Sequence, residues 1–230
     1  MDGHARKAFE RGTRVAHVSD AQPDTDQAQA GSVAKVKEMT ARMEEVAALQ
    51  RAGLIDVHAA ALEKRKLRRA MLAGPIAHLA EVGRLAAREN HELATTFRFK
   101  PSADSFVSFR TAARSMQAEA EAHKELLARH GLSEPVLALF GDLLDRFDAA
   151  VALGVDGRTS HKGATKQLRA LATELASVIR VMDAQNRQRF QDNPQLLESW
   201  ISASTVLGVK RAGNVAPAEP PAGGESKNAA

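Results

Sequence analysis

Two basic runs and a few histidine–carboxylate pairs are the residues of this chain best suited to chemistry. The first run is Gly157-Arg158-Thr159-Ser160-His161-Lys162-Gly163, continued by Lys166 and Arg169. From Arg158 to Arg169 it holds four basic side chains, one histidine and no acid. If the run opens a helix, the free backbone N–H groups of the first turn and the helix dipole favour an anion there. A phosphate or carboxylate would then meet Arg158 and Lys162, with Thr159, Ser160, His161 and Lys166 around it. The competing reading is a solvated turn that balances the preceding segment 134–156. That segment carries Glu134, Asp142, Asp145, Asp148 and Asp156 against Arg146 alone.

The second run is Lys64-Arg65-Lys66-Leu67-Arg68-Arg69. Five charges in six residues surround nearly a whole helical turn, which disfavours burying it. Such a turn can neutralise nucleic-acid phosphates or lie against anionic lipid headgroups; more often it is simply solvated. Base-specific reading has no support, since no helix-turn-helix signature or aromatic stacking platform accompanies it. Phe97-Arg98-Phe99-Lys100 alternates rings with charges as single-strand binders do. It lies beside a helical core, where phenylalanines usually plug the end of a bundle, and Trp200 is expected to close the opposite end.

A bundle metal site would need Glu-x-x-His pairs, and the chain has none. His78 with Glu81 and Glu119 with His123 share helix faces, but as hydrogen-bonded surface pairs. His130, just before Gly131, is explained by the attraction of a cation for a helix C-terminus. With no cysteine in the chain, thiol nucleophiles, disulfides, cysteine zinc sites and iron–sulfur clusters are excluded. Nucleophile-elbow, P-loop and dinucleotide glycine motifs are missing as well. No metal or cofactor is expected, and catalysis has no motif behind it.

Helices must position whatever these residues do. The 230 residues are 44% hydrophobic and 26% charged, and 44 of them are alanine, the strongest intrinsic helix former. An all-α protein is expected. The net charge of +4 resides in 32–207, and no hydrophobic run is long enough to span a bilayer or act as a secretory signal. A cytoplasmic protein is the default.

The periodicity divides the chain into four parts. Residues 1–31 are polar and weakly periodic and read as a disordered tail, with at most a short amphipathic turn at 5–14. Residues 32–74 read as a helical hairpin or arm: Ser32 caps its first helix, Gly53 stops it, and Asp56 caps the second. Ala59, Leu62, Leu67 and Met71 form that second helix's apolar line. Residues 75–207 read as an antiparallel four-helix bundle with helices near 75–90, 103–130, 134–153 and 160–190, followed by a short helix from Asn193-Pro194. Gly74-Pro75 is expected to kink one continuous helix rather than divide two. Residues 208–230, rich in proline and glycine, read as a second disordered tail.

Three functions fit this outline. The leading one is a non-enzymatic interaction or scaffold protein that associates with itself or a protein partner through the arm. The second is a polyanion binder, of nucleic acid or an anionic surface, acting through Lys64, Arg65, Lys66, Arg68 and Arg69. The third is a small-anion-binding bundle centred on Arg158–Lys162.

Overall fold

The computed structural model describes residues 1–23, 26–99 and 105–206. Among these there is no strand. The helices are α1 (Gly3–Ala21), α2 (Gln27–Ala73), α3 (Pro75–Ala86), α4 (Leu93–Thr96), α5 (Phe106–Ala122), α6 (Lys124–Arg129), α7 (Glu134–Arg189) and α8 (Pro194–Ser204). The expected all-α class holds. No helix among the described residues is long and apolar enough to cross a membrane.

Two helices dominate. α2 has 47 residues and α7 has 56, so each extends for about 70–85 Å at 1.5 Å per residue. They lie antiparallel, as three side-chain pairs along their length show. Lys35 meets Glu174, Gln50 meets Thr165, and Glu63 meets Arg146.

Several sequence expectations are corrected here. Gly53 does not end a helix, and the proposed helices 32–52 and 56–74 are one element. Ser32 and Asp56 are interior positions of it, and the Ser32 hydroxyl simply donates to the Ala28 carbonyl. Likewise 134–153 and 160–190 are one helix, so 75–207 is not a bundle of four separate helices. The supposed tail 1–31 contains α1, capped by the Asp2 carboxylate, which accepts from the Ala5 N–H at 2.9 Å. Gly74 has non-helical ψ −103° and separates two helices, with Pro75 opening α3 where its missing N–H costs nothing. The tail 208–230 and the expected helix start at 103 lie outside the described residues.

Other local signals hold. Gly131, at φ 105°, takes the left-handed conformation that ends α6. The Gly131 N–H donates to Ala128 and the Leu132 N–H to Leu127, which satisfies carbonyls the helix end would otherwise leave bare. Asn193 caps α8 through the Leu196 N–H.

The long pair is clothed at both ends and bare in the middle. At one end α1 and α8 join the first half of α2 and the last half of α7 around Val36, Met43, Leu175, Ile179 and Trp200, forming a terminal lobe. At the other end α3 to α6 join the remaining halves around Leu79, Phe109, Met116, Phe140 and Phe147, forming a distal lobe. Phe97 is buried in the distal core and Phe99 packs edge-on against Phe109 at 5.5 Å. Between the lobes α2 and α7 touch directly at Gly53 and Gly157. The two basic runs flank that waist, 64–69 at the edge of the distal lobe and 158–169 running into the terminal lobe.

Candidate functional site

Glycine creates the waist. A Cβ on Gly53 would lie 2.7 Å from the Gly157 carbonyl oxygen and 2.9 Å from the His161 nitrogen. A Cβ on Gly157 would lie 2.8 Å from the Gly53 carbonyl. The two backbones are therefore in contact, which only hydrogen side chains permit. One turn further, Gly154 faces Ala60.

This closeness decides the fate of the first basic run. His161 is spent on structure: its Nδ1 is 3.0 Å from the Gln50 carbonyl oxygen, the geometry of an Nδ1–H donor. Gln50 in turn donates Nε2–H to Thr165 at 2.7 Å. Thr159 turns its hydroxyl back to the Val155 carbonyl. The anion site expected at a helix N-terminus is corrected, because Arg158, Thr159, Ser160, His161, Lys162 and Lys166 are interior residues of α7. Their N–H groups belong to the helix ladder and present nothing to a ligand. What remains is side-chain charge: Arg158, Lys162 and Lys166 are exposed.

The second run divides into two sets. Lys64 is 8% exposed, against the expectation that its turn resists burial, and its ammonium lies 5.1 Å from the centre of the Phe106 ring. Burial, reinforced by the positive charge of nearby Arg158, lowers its pKa. Arg68 covers the Phe109 ring at the same distance of 5.1 Å. These two side chains use long apolar stems to close the distal core. Lys66 is 4.0 Å from Glu63. Arg65 and Arg69 are exposed.

The two exposed arginines belong to a longer row. Arg51, Ile55, His58, Leu62, Arg65 and Arg69 follow one another at spacings of four and three, so they align along one face of α2, and all are exposed. Ile55 is 58% and Leu62 66% exposed, and no acid interrupts the row. On α7, Val155, Arg158, Lys162 and Lys166 make a similar exposed row. Among the described residues none of Arg51, Arg65, Arg69, Arg158, Lys162 and Lys166 forms an ion pair.

Fold and charge thus set the two basic runs on either side of the waist, with Lys64 beside Arg158. Sequence reasoning assigned Leu62 and Ala59 to the buried line, whereas the buried line is Gly53, Ala60, Lys64, Leu67 and Met71. The signal for the exposed row was its spacing, and it was hidden by treating Gly53 as a stop.

The expected histidine–carboxylate pairs form only in part: Glu81 accepts from Arg84 and not from His78, and Glu119–His123 is a contact within the end of α5. His78 contacts the Gly131 carbonyl at 3.2 Å, His123 is 3.7 Å from Glu119, and His130 contacts Glu89 at 2.8 Å. Among the described residues no group of three or more His, Cys, Asp or Glu could hold a metal ion. No family model matches the chain, and neither does any curated protein or solved structure.

Proposed function

We propose that the protein is a non-catalytic interaction protein that docks an anionic partner on the solvent face of its waist. The face comprises Arg51, Ile55, His58, Leu62, Arg65 and Arg69 of α2, within the segment 32–74; Arg158, Lys162 and Lys166 lie on the outward side of α7, away from this face, and add only to the positive field. One observation carries the reading: large apolar side chains and unpaired basic ones alternate on the exposed side of a helix whose other side is built into two cores.

Ile55 and Leu62 lie two turns apart on one line with the basic residues, so a single partner helix or strand can cover both. Ile55 and Leu62 offer burial to a partner, while the arginines select its charge and steer its approach. Self-association through this face alone is disfavoured, because a two-fold contact sets the same patch against itself and opposes like charges. The segment acts as an integral strut with a docking side and not as a projecting hairpin.

The test compares the full chain with Arg65→Glu/Arg69→Glu and with Ile55→Ser/Leu62→Ser. Binding to heparin, to a single-stranded oligonucleotide and to vesicles rich in anionic lipid is measured across a salt series, with light scattering for self-association. We expect binding to at least one polyanion that falls steeply with salt. Charge reversal should weaken it at least tenfold. Removing Ile55 and Leu62 should weaken it less and leave the salt slope unchanged. Equal behaviour of all three proteins toward every probe would sink the proposal.

A further inference from the structure

In the terminal lobe, far from the waist, the end of α1 and the start of α2 meet α7 and α8 around a cavity of about 280 Å³. Val18, Val33, Phe190 and Trp200 contribute apolar walls. Two polar groups on the lining lack partners. Gln29 is only 5% exposed, and its Oε1 is buried with no hydrogen-bond donor. The Ser19 hydroxyl is buried and unpartnered as well. A buried acceptor without a donor is costly, so a folded protein that keeps one usually meets it with a water or a ligand.

The charged groups at the rim are already engaged. Lys37 pairs with Asp20 at 2.6 Å. Arg189 donates to the carbonyls of Gln22 and Pro23 and stacks 5.0 Å from the Phe190 ring. Neither cation is set to receive an anion, and no carboxylate is left for a cation. A neutral occupant fits. Its body must be apolar to match the walls, and it needs a donor to match Gln29. At about 30 Å³ per heavy atom the space takes roughly ten such atoms.

We propose that this cavity binds a small uncharged molecule with an apolar ring or branched body and one O–H or N–H group. That group donates to Gln29 Oε1, and the Ser19 hydroxyl donates to the ligand's heteroatom. Preformed pockets with apolar walls and a few converging polar groups are the usual form of small-molecule sites. The site is independent of the docking face.

The protein supplies its own reporter, since Trp200 is the single tryptophan and there is no tyrosine. Tryptophan emission is followed while the full chain is titrated with cyclohexanol and with methoxycyclohexane, which has the same ring and no donor. We expect cyclohexanol to change the emission saturably and to raise the Tm. The ether should bind about fivefold more weakly, the equivalent of one modest hydrogen bond. Gln29→Leu should bring the two probes within about twofold of each other, and Arg65→Glu should leave the difference intact. Should Gln29→Leu fail to fold, Gln29→Met takes its place and should narrow the same gap, while Ser19→Ala should weaken both probes alike. Equal, non-saturating slopes for both probes would mean a water-filled space and overturn the proposal.

Discussion

The two lobes share α2 and α7 and yet are filled by opposite means. Six of the eight phenylalanines lie in or against the distal core, where Phe99, Phe106, Phe109 and Phe147 meet at centroid distances of 5.5–6.1 Å. Large rings let short helices such as α4 and α6 close a compact core. The terminal lobe uses longer helices around methionines, aliphatic side chains and one tryptophan, and it holds polar groups inside. Gly12 of α1 shows how tight that packing is, since a Cβ there would come within 2.6 Å of Thr40 and 2.9 Å of Leu175. Asn186 is 2% exposed and donates to the Met182 carbonyl at 3.0 Å, and Asp183 accepts from Trp200 Nε1 at 2.9 Å and from Ser204. One lobe is filled by aromatic bulk; the other is specified by hydrogen bonds and keeps room inside. The comparison explains why the cavity is in the terminal lobe.

The largest expected effect tests how far the lobes are separate. Phe147→Ala removes a fully buried ring from the distal core and should cost about 3–5 kcal/mol in urea unfolding. Because α2 and α7 run through both lobes, the Trp200 transition in the terminal lobe should move together with the far-UV CD transition. Two separated transitions would show that the lobes unfold independently.

Next comes the waist that joins them. Gly157→Val places side-chain atoms where Gly53's carbonyl lies and should cost about 3 kcal/mol, near the upper end for overpacking. Full stability in the variant would mean that the backbone contact is dispensable.

The polar character of the terminal lobe is sharpened by Asp183→Asn, expected to cost about 1–2 kcal/mol. Burial would raise the Asp183 pKa, but hydrogen bonds from Arg187, Trp200 and Ser204, with the Arg187 charge, outweigh it and hold the pKa below the ordinary 3.8. A depressed carboxylate pKa stabilises the fold above the unfolded value and loses that contribution as pH falls through the folded one. The wild type should therefore lose stability below about pH 4 more steeply than the variant. Parallel acid titrations would contradict the assignment.

Smaller and opposite in sign is Lys64→Met, which removes a buried ammonium from the edge of the aromatic lobe. A gain of about 1 kcal/mol is expected near neutral pH, because desolvation disfavours the charged lysine. The folded pKa is lowered, so the penalty is full below it and disappears as pH rises toward the ordinary 10.5. The variant's advantage should shrink over that range. A loss of stability at pH 7 would instead show that the contact with Phe106 dominates. Smallest is Gly163→Ala, where a Cβ meets nothing within 4 Å. It should stabilise α7 by about 0.5–1 kcal/mol in thermal unfolding, the opposite of any substitution six residues earlier.

These last two glycines show where local reading succeeded and failed. Alanine content, apolar spacing and the signals at Gly131 and Asn193-Pro194 establish helices from the sequence, because each acts within one or two turns of chain. Of the candidate site, the basic residues were legible by type and spacing. Their division was not: Lys64 and Arg68 resemble Arg65 and Arg69 until α5 supplies Phe106 and Phe109 to cover the first pair.

By itself, then, the sequence determined an all-helical chain, ruled out thiol chemistry and placed its basic runs. Tertiary structure decided the rest. Gly53, Gly154 and Gly157 carry the same local cost as any helix-breaking glycine, yet they lie inside the two longest helices. Direct contact between those helices offsets the penalty and forbids a side chain. The weakly periodic N-terminus became α1 for a related reason, since Ala5, Gly12 and Val15 are small enough to be buried against α2 and α7. A helix needs only its own residues to be written, but a partner surface to be kept.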